Sequence, residues 1–194
     1  MSNSMENKTM MTELDAQNVI SQHRGSAIIV SPSELPMSTN YELDMSYSCT
    51  SKASSLGLGL ALARPERKIM ILEGDGALLM NLGSLMTIAN MAPPNLIHFV
   101  IQNEVYLTTR GHPISVTSKL NFVLVARGAG YPNVYDLEDI ESFKSSIKTI
   151  INQAGPTFVC IKCLPLRERL HTLRGTKEDL RERCRALREL LIRP

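Results

Sequence analysis

The sequence predicts an α/β fold: a single doubly wound domain with a mostly parallel central sheet flanked by helices. Three observations lead there. Short β-branched runs alternate with helical stretches, which is the order expected of strands joined by crossover helices. Those runs are continuously apolar rather than alternating, as strands covered on both faces should be. And 194 residues suffice for one full core but are short for two.

The elements follow in order. Residues 1–22 read as a polar N-terminal segment, residues 23–166 as the domain proper, and residues 167–194 as a C-terminal amphipathic helix. Strands are expected at Ser26–Ser31, Lys68–Glu73, Leu96–Gln102 and Thr157–Lys162. A helix over Ala53–Ala63 is small and apolar, with Gly57 and Gly59 permitting close approach of neighbouring backbone. A second helix is expected over Leu78–Met91, with Leu78, Leu82, Leu85, Met86 and Ala89 on one side and Pro93-Pro94 as its stop. Two more are expected over Phe122–Gly128 and Asp139–Asn152, the latter with Ile140, Phe143, Ile147 and Ile151 at helical spacing. In the tail, Thr176-Lys-Glu-Asp179 has the form of a capping box, and Leu180, Cys184, Leu187 and Leu191 follow on one face. That face suits a partner or the helix's own domain.

Composition narrows the function classes. A net charge of +2 is too small to argue for nucleic acid or an anionic membrane surface, and without Trp there is no evident stacking platform for bases. No apolar run approaches the roughly 20 residues that span a bilayer. Residues 1–22 lack the apolar core of a signal peptide, so the cytoplasm is the expected location. Cys160-Ile-Lys-Cys163 has the form of a redox or zinc half-motif, yet it lies in the apolar run Thr157–Cys163, where Cys serves as a small hydrophobe. His98 falls inside a strand and reads as a packing residue, Lys52 as a solvated one, and His23 and His171 lie outside any motif.

The chemistry concentrates at two strand ends. The second strand runs into Glu73-Gly-Asp-Gly76, and a helix begins at once. At the carboxyl edge of a parallel sheet this puts the Asp75 carboxylate beside free backbone N–H groups at a helix start that favours an anion. A carboxylate aimed at an anion requires a cation between them, which points to Mg²⁺ bridging a diphosphate. The third strand ends in Gln102-Asn-Glu-Val-Tyr106, where Asn103 offers a neutral oxygen beside the Gly74–Gly76 turn. Mg²⁺ takes six oxygens, commonly one or two protein groups completed by phosphate oxygens and water.

Gly74-Asp-Gly76 followed by Asn103 resembles the signature of thiamine diphosphate-dependent enzymes, and the fold implied is their thiamine diphosphate-binding fold. The resemblance implies that Asp75, Asn103 and the carbonyl of Val105 hold the metal. It implies that Gly74, Gly76 and Ala77 form the diphosphate cradle, with Gly76 and Ala77 donating backbone N–H groups, and that Tyr106 belongs to the cofactor-binding segment. The segments Ser54–Leu62, Gly74–Ala89 and Gln102–Tyr106 are most similar to the cofactor-binding part of sulfopyruvate and phosphonopyruvate decarboxylases, a likeness covering residues 24 to 165. There the branch's Gly-Ser-Met-Gly is replaced by Ser48-Cys-Thr-Ser51, so Thr50 stands where a Met props the bent cofactor and a carbonyl near Ser48 where the 4′-amino group is received. After Asn103, Tyr106-Leu-Thr-Thr-Arg-Gly-His-Pro113 replaces two glycines with Leu107 and Arg110. A guanidinium at Arg110 suits an acidic substrate head, and His112 could act as acid or anion contact.

The resemblance further implies that the glutamate activating the cofactor comes from a pyrimidine-binding partner subunit, for which this chain has no room. The expected function is thus the cofactor-binding subunit of a heteromeric decarboxylase of small acidic 2-oxo acids. Alternatives are an acetolactate synthase-like carboligase subunit or a degenerate, non-catalytic partner. A dinucleotide-binding module is disfavoured, since no Gly-x-Gly-x-x-Gly turn follows the first strand.

Overall fold

The computed structural model describes residues 10–32, 44–47, 51–106, 109, 111–116, 119–165 and 180–192. In chain order its elements are α1 (Glu13–His23), β1 (Ile28–Pro32), β2 (Met45–Tyr47), α2 (Ala53–Ala63), β3 (Ile69–Gly74), α3 (Asp75–Leu79) and α4 (Ser84–Met91). Then come β4 (Leu96–Gln102), β5 (Val105–Tyr106), β6 (His112–Pro113), α5 (Phe122–Ala129), β7 (Asn133–Leu137), α6 (Ile140–Asn152), β8 (Thr157–Lys162) and α7 (Leu180–Ile192).

Six strands pair in the order β2-β1-β3-β4-β8-β7, every pair parallel. β5 and β6 form a separate antiparallel ribbon. The strands of the sheet's centre are buried at nearly every position, which explains why their sequences do not alternate. One face carries Ile28, Val30, Ile69, Ile71, Val100 and Phe158 against α2, α4, α5 and α7. The other carries Ile29, Met70, Leu72, Phe99 and Val159 against α1 and α6. The domain is doubly wound.

β4, β8 and α2 have the bounds the sequence predicts, and β1 and β3 differ by a residue or two. The helix expected over Leu78–Met91 is two helices. Asn81 breaks it: its side chain donates to the hydroxyls of Ser54 and Ser55, and Ser84 N–H returns to the Asn81 carbonyl. Leu78 and Leu85 stay buried on both sides of the break, so the apolar spacing conceals it, while Met86, expected among them, is exposed. Two strands of the six-stranded sheet escape the sequence reading altogether, as does the β5–β6 ribbon. β2 is only three residues long, and β7 is a half-buried edge strand whose Asn133 and Asp136 disguise it.

The N-terminal stretch 1–22 contains most of α1, which starts in a capping box between Thr12 and Asp15. Its Met11, Ala16, Val19 and Ile20 are buried in the second core, so a boundary at residue 22 would divide an element that shares the domain's interior. Burial of each such side chain larger than Ala contributes about 1.5–3 kcal/mol. α7 also packs on its own domain through Leu187 and Leu191, although Cys184, expected on that face, is exposed. The expected capping box at 176–179 lies outside the described residues. Among those residues no helix is long and apolar enough to cross a membrane.

The two glycines of α2 part company. A methyl group at Gly57 would lie 2.3 Å from Cγ1 of Ile71, so the close approach there is to a side chain on β3, whereas Gly59 has nothing within 4 Å. Gly57→Ala is therefore expected to lose about 1–3 kcal/mol from overpacking. Gly59→Ala is expected to gain up to about 1 kcal/mol from helix propensity. Denaturant titrations of the two variants beside the parent would show opposite shifts.

Candidate functional site

Adjacent parallel strands bring the two predicted halves together. β3 and β4 run in register from Ile69↔Leu96 to Gly74↔Ile101, so their carboxyl ends finish side by side. Asp75 is fully buried, and its two carboxylate oxygens divide between the turns. One accepts the N–H of Gly76 at 2.8 Å, and the other accepts the N–H of Glu104, from the neighbouring turn, also at 2.8 Å.

Glu104 has φ +62°, a left-handed conformation that side-chain-bearing residues rarely adopt. Its strain, of order 1 kcal/mol, is sustained by the N–H groups on either side of the kink. Glu104 N–H reaches Asp75 and Val105 N–H reaches Oδ1 of Asn103 at 3.0 Å. Asn103 is itself buried, and its Nδ2 donates to Oε1 of Glu13 at 2.6 Å. Glu13, on α1, is a residue that motif reading misses, because it is ninety positions from Asn103 and the contact is purely tertiary.

The β5–β6 ribbon then folds back over the first turn. Tyr106 pairs with His112, Gly111 closes the ribbon on the Tyr106 carbonyl, and Ile114 N–H reaches the Glu104 carbonyl at 2.8 Å. A methyl group at Gly76 would come within 2.6 Å of the Tyr106 ring, so only glycine permits this approach. Gly74 caps α3 and is half-buried, and Ala77 is buried in its first turn. Val105 and Tyr106 are half-buried, and His112 is exposed. Ser48, Thr50, Leu107 and Arg110 lie outside the described residues.

Burial dominates the electrostatics of Asp75. Loss of hydration pushes its carboxyl from 3.8 up to about 7, against the pull of the Glu104 and Gly76 N–H groups and with a smaller push from the Glu104 charge. The side-chain oxygens at this strand edge are those of one carboxylate and one amide, each accepting a backbone N–H. Among the described residues no group of three His, Cys, Asp or Glu side chains could hold a metal ion.

Two further features border the site. Beneath the Gly-Asp-Gly turn runs a buried chain: Glu73 meets Nε2 of His98 at 2.8 Å, and Nδ1 of His98 meets the Tyr131 hydroxyl at 3.3 Å. His98 thus packs inside the sheet, edge-on to Phe158. On the far side of Asn103 lies a cleft of about 530 Å³ walled by Gln102, Asn121, Asp136, Cys160 and Lys162 but not by Asp75. Cys160 donates to Gln102 there, and burial pushes its thiol up to about 12; burial raises Cys163 as well. Neither is a thiolate at neutral pH, in keeping with their place in a buried strand end.

The comparisons with known proteins agree on one family. The model of the thiamine pyrophosphate enzyme C-terminal TPP binding domain matches residues 33–161. The chain is 37% identical over 117 residues to sulfopyruvate decarboxylase subunit beta of Methanocaldococcus jannaschii, covering 60% of this chain and 61% of that one. It is 35% identical over 113 residues to phosphonopyruvate decarboxylase of Streptomyces viridochromogenes, covering 58% of this chain and 28% of that one. The match therefore spans less than two thirds of either relative. Among solved structures, the thiamine diphosphate-dependent 4-hydroxybenzoylformate decarboxylase of Rhodococcus jostii superposes with a TM-score of 0.67 at 15% identity, over 86% of this chain and 35% of that one.

Proposed function

Because the chain belongs to the thiamine pyrophosphate enzyme family, through its C-terminal TPP binding domain, we propose that it is the cofactor-binding subunit of a heteromeric decarboxylase of small, acidic 2-oxo acids. The observation that carries this reading is the meeting of Asp75 and Asn103 at the carboxyl ends of β3 and β4, tied together through Glu104 N–H. The names of the related beta subunits and of the phosphonopyruvate decarboxylases support the substrate class.

The residues fit the group. Asp75 is a buried carboxylate whose hydrogen bonds come from backbone N–H groups, and burial disfavours its charge until a cation stands beside it. An all-oxygen donor set is what Mg²⁺ prefers. Asp75, Asn103 and the Val105 carbonyl would hold Mg²⁺, and the backbone of Gly74, Gly76 and Ala77 would cradle the diphosphate of thiamine diphosphate. Tyr106, seated over Gly76, would cover that cradle, with Thr50 and Ser48 supporting the rest of the cofactor. When bound, the cofactor supplies an electron sink for loss of CO₂ from a 2-oxo acid. The chain's own part is to bind, orient and shield it. The pyrimidine-binding partner subunit would bring the activating glutamate, and Arg110 and His112 would meet the acidic head of the substrate.

Co-purification would identify the partner, and CO₂ release from sulfopyruvate, phosphonopyruvate and pyruvate tests the assembled complex with Mg²⁺ and thiamine diphosphate. Release from an acidic substrate is expected only with both subunits present. Acetolactate as the product from pyruvate would overturn the assignment. In the same assay Arg110→Ala should raise KM about 10- to 100-fold for the acidic substrate, the range of one charge-assisted hydrogen bond. An unchanged KM would remove Arg110 from substrate binding.

A further inference from the structure

An asparagine serves a cation only through its amide oxygen, since the nitrogen end presents hydrogens. Nothing in the residue itself decides which end faces the site. At Asn103 the surroundings decide it twice. Nδ2 donates to Glu13 Oε1 at 2.6 Å, and the amide NH₂ end only donates. Val105 N–H reaches Oδ1 at 3.0 Å, and a backbone N–H only donates. Both demand the same orientation, with the oxygen toward the turn whose next N–H group holds Asp75.

We propose that Glu13 is a positioning residue for Asn103: it fixes the amide so that Oδ1, and not Nδ2, is offered to the metal. This rests on the cofactor reading above. Glu13 lies outside the stretch that matches the family, residues 33–161. Its carboxylate is fully buried, and its helix is anchored at the point that matters. Thr12 and Asp15 form a reciprocal cap, the Met11 carbonyl accepts Leu164 N–H at 2.8 Å just past β8, and Met10 bridges to Asp139 at the start of α6. An acceptor held this firmly orients a ligand and polarises it, for the N–H to carboxylate bond places more electron density on Oδ1. α1 therefore forms part of the site, although it contributes no ligand.

The test is a swap, read by calorimetry of Mg²⁺-dependent thiamine diphosphate binding to the full chain assembled with its partner. Asn103→Asp alone sets two carboxylates against each other and is expected to lower Mg²⁺ affinity about 10- to 100-fold. Glu13→Gln in that background supplies an amide that donates to the new carboxylate, and the double variant is expected to recover about tenfold, the scale of coupling between contacting residues. A purely structural Glu13 would give no recovery, and effects that simply multiply overturn the proposal. Should the Asn103→Asp chain not fold, Glu13→Ala decides: Mg²⁺ affinity should fall about tenfold or more, and an unchanged affinity overturns the proposal. The parent complex separates the two levels of the argument. Absence of metal-dependent uptake there overturns the cofactor site itself, whereas uptake there with independent variant effects overturns only the role of Glu13.

Discussion

Asp75→Asn is expected to abolish metal-dependent uptake of thiamine diphosphate and to flatten the pH dependence of stability of the metal-free chain between about pH 4 and pH 7. The second effect follows from burial. The folded chain holds a proton on Asp75 up to about pH 7, while the unfolded chain releases it near 3.8. The native state thus binds the extra proton throughout that window. Its contribution to stability is fully present below the lower value and is lost as pH rises through the upper one. The slope is about 1.4 kcal/mol per pH unit, and the whole loss is on the order of 4 kcal/mol. Asparagine does not titrate, so the variant lacks this term. On the proposed reading Mg²⁺ would displace the same proton, and its affinity for the parent should weaken below pH 7. Urea titrations in chelator at several pH values, together with calorimetry of cofactor uptake, check both halves. Retained uptake in the variant would remove Asp75 from the site. A parent whose stability is level across the window would contradict the effect assigned to burial.

The second large effect concerns Glu73 and His98. Both are fully buried, and Glu73 Oε2 has no hydrogen-bond partner among the described residues. His98→Leu keeps much of the volume but strands the carboxylate and frees the Tyr131 hydroxyl. Leaving a buried polar group without its hydrogen-bond partner costs about 1–3 kcal/mol. For a chain of this size that is a fall in melting temperature on the order of 5 °C. Replacing both members with apolar side chains of similar size is often close to neutral. The double variant Glu73→Met/His98→Leu should therefore recover most of the loss. Scanning calorimetry of the three proteins decides it, and a double variant as unstable as the single one would rule the argument out.

Much of this architecture is legible in the chain because burial writes itself plainly into continuous apolar runs. β4 and β8 keep the bounds their sequences imply. Polar residues in the interior defeat the same reading. α1 buries Glu13 and Gln17 alongside its apolar side chains, so residues 13–23 pass for a solvated segment even though Thr12 and Asp15 announce a helix start. β7 fails for the opposite reason, being an edge strand with polar positions that face outward. In the site, Asp75 and Asn103 are readable because each sits next to a strand end with a fixed local spacing. The Glu13 contact is not readable, since it depends on two distant elements meeting.

The position of β8 between β4 and β7 has a consequence for how the molecule is made. On the ribosome, β4 and β7 emerge well before the segment that joins them, and until Thr157–Lys162 follows they present facing, unpaired edges. A chain cut short upstream of residue 157 would therefore leave β7 detached from the other strands, a gap one strand in from the edge rather than a missing rim.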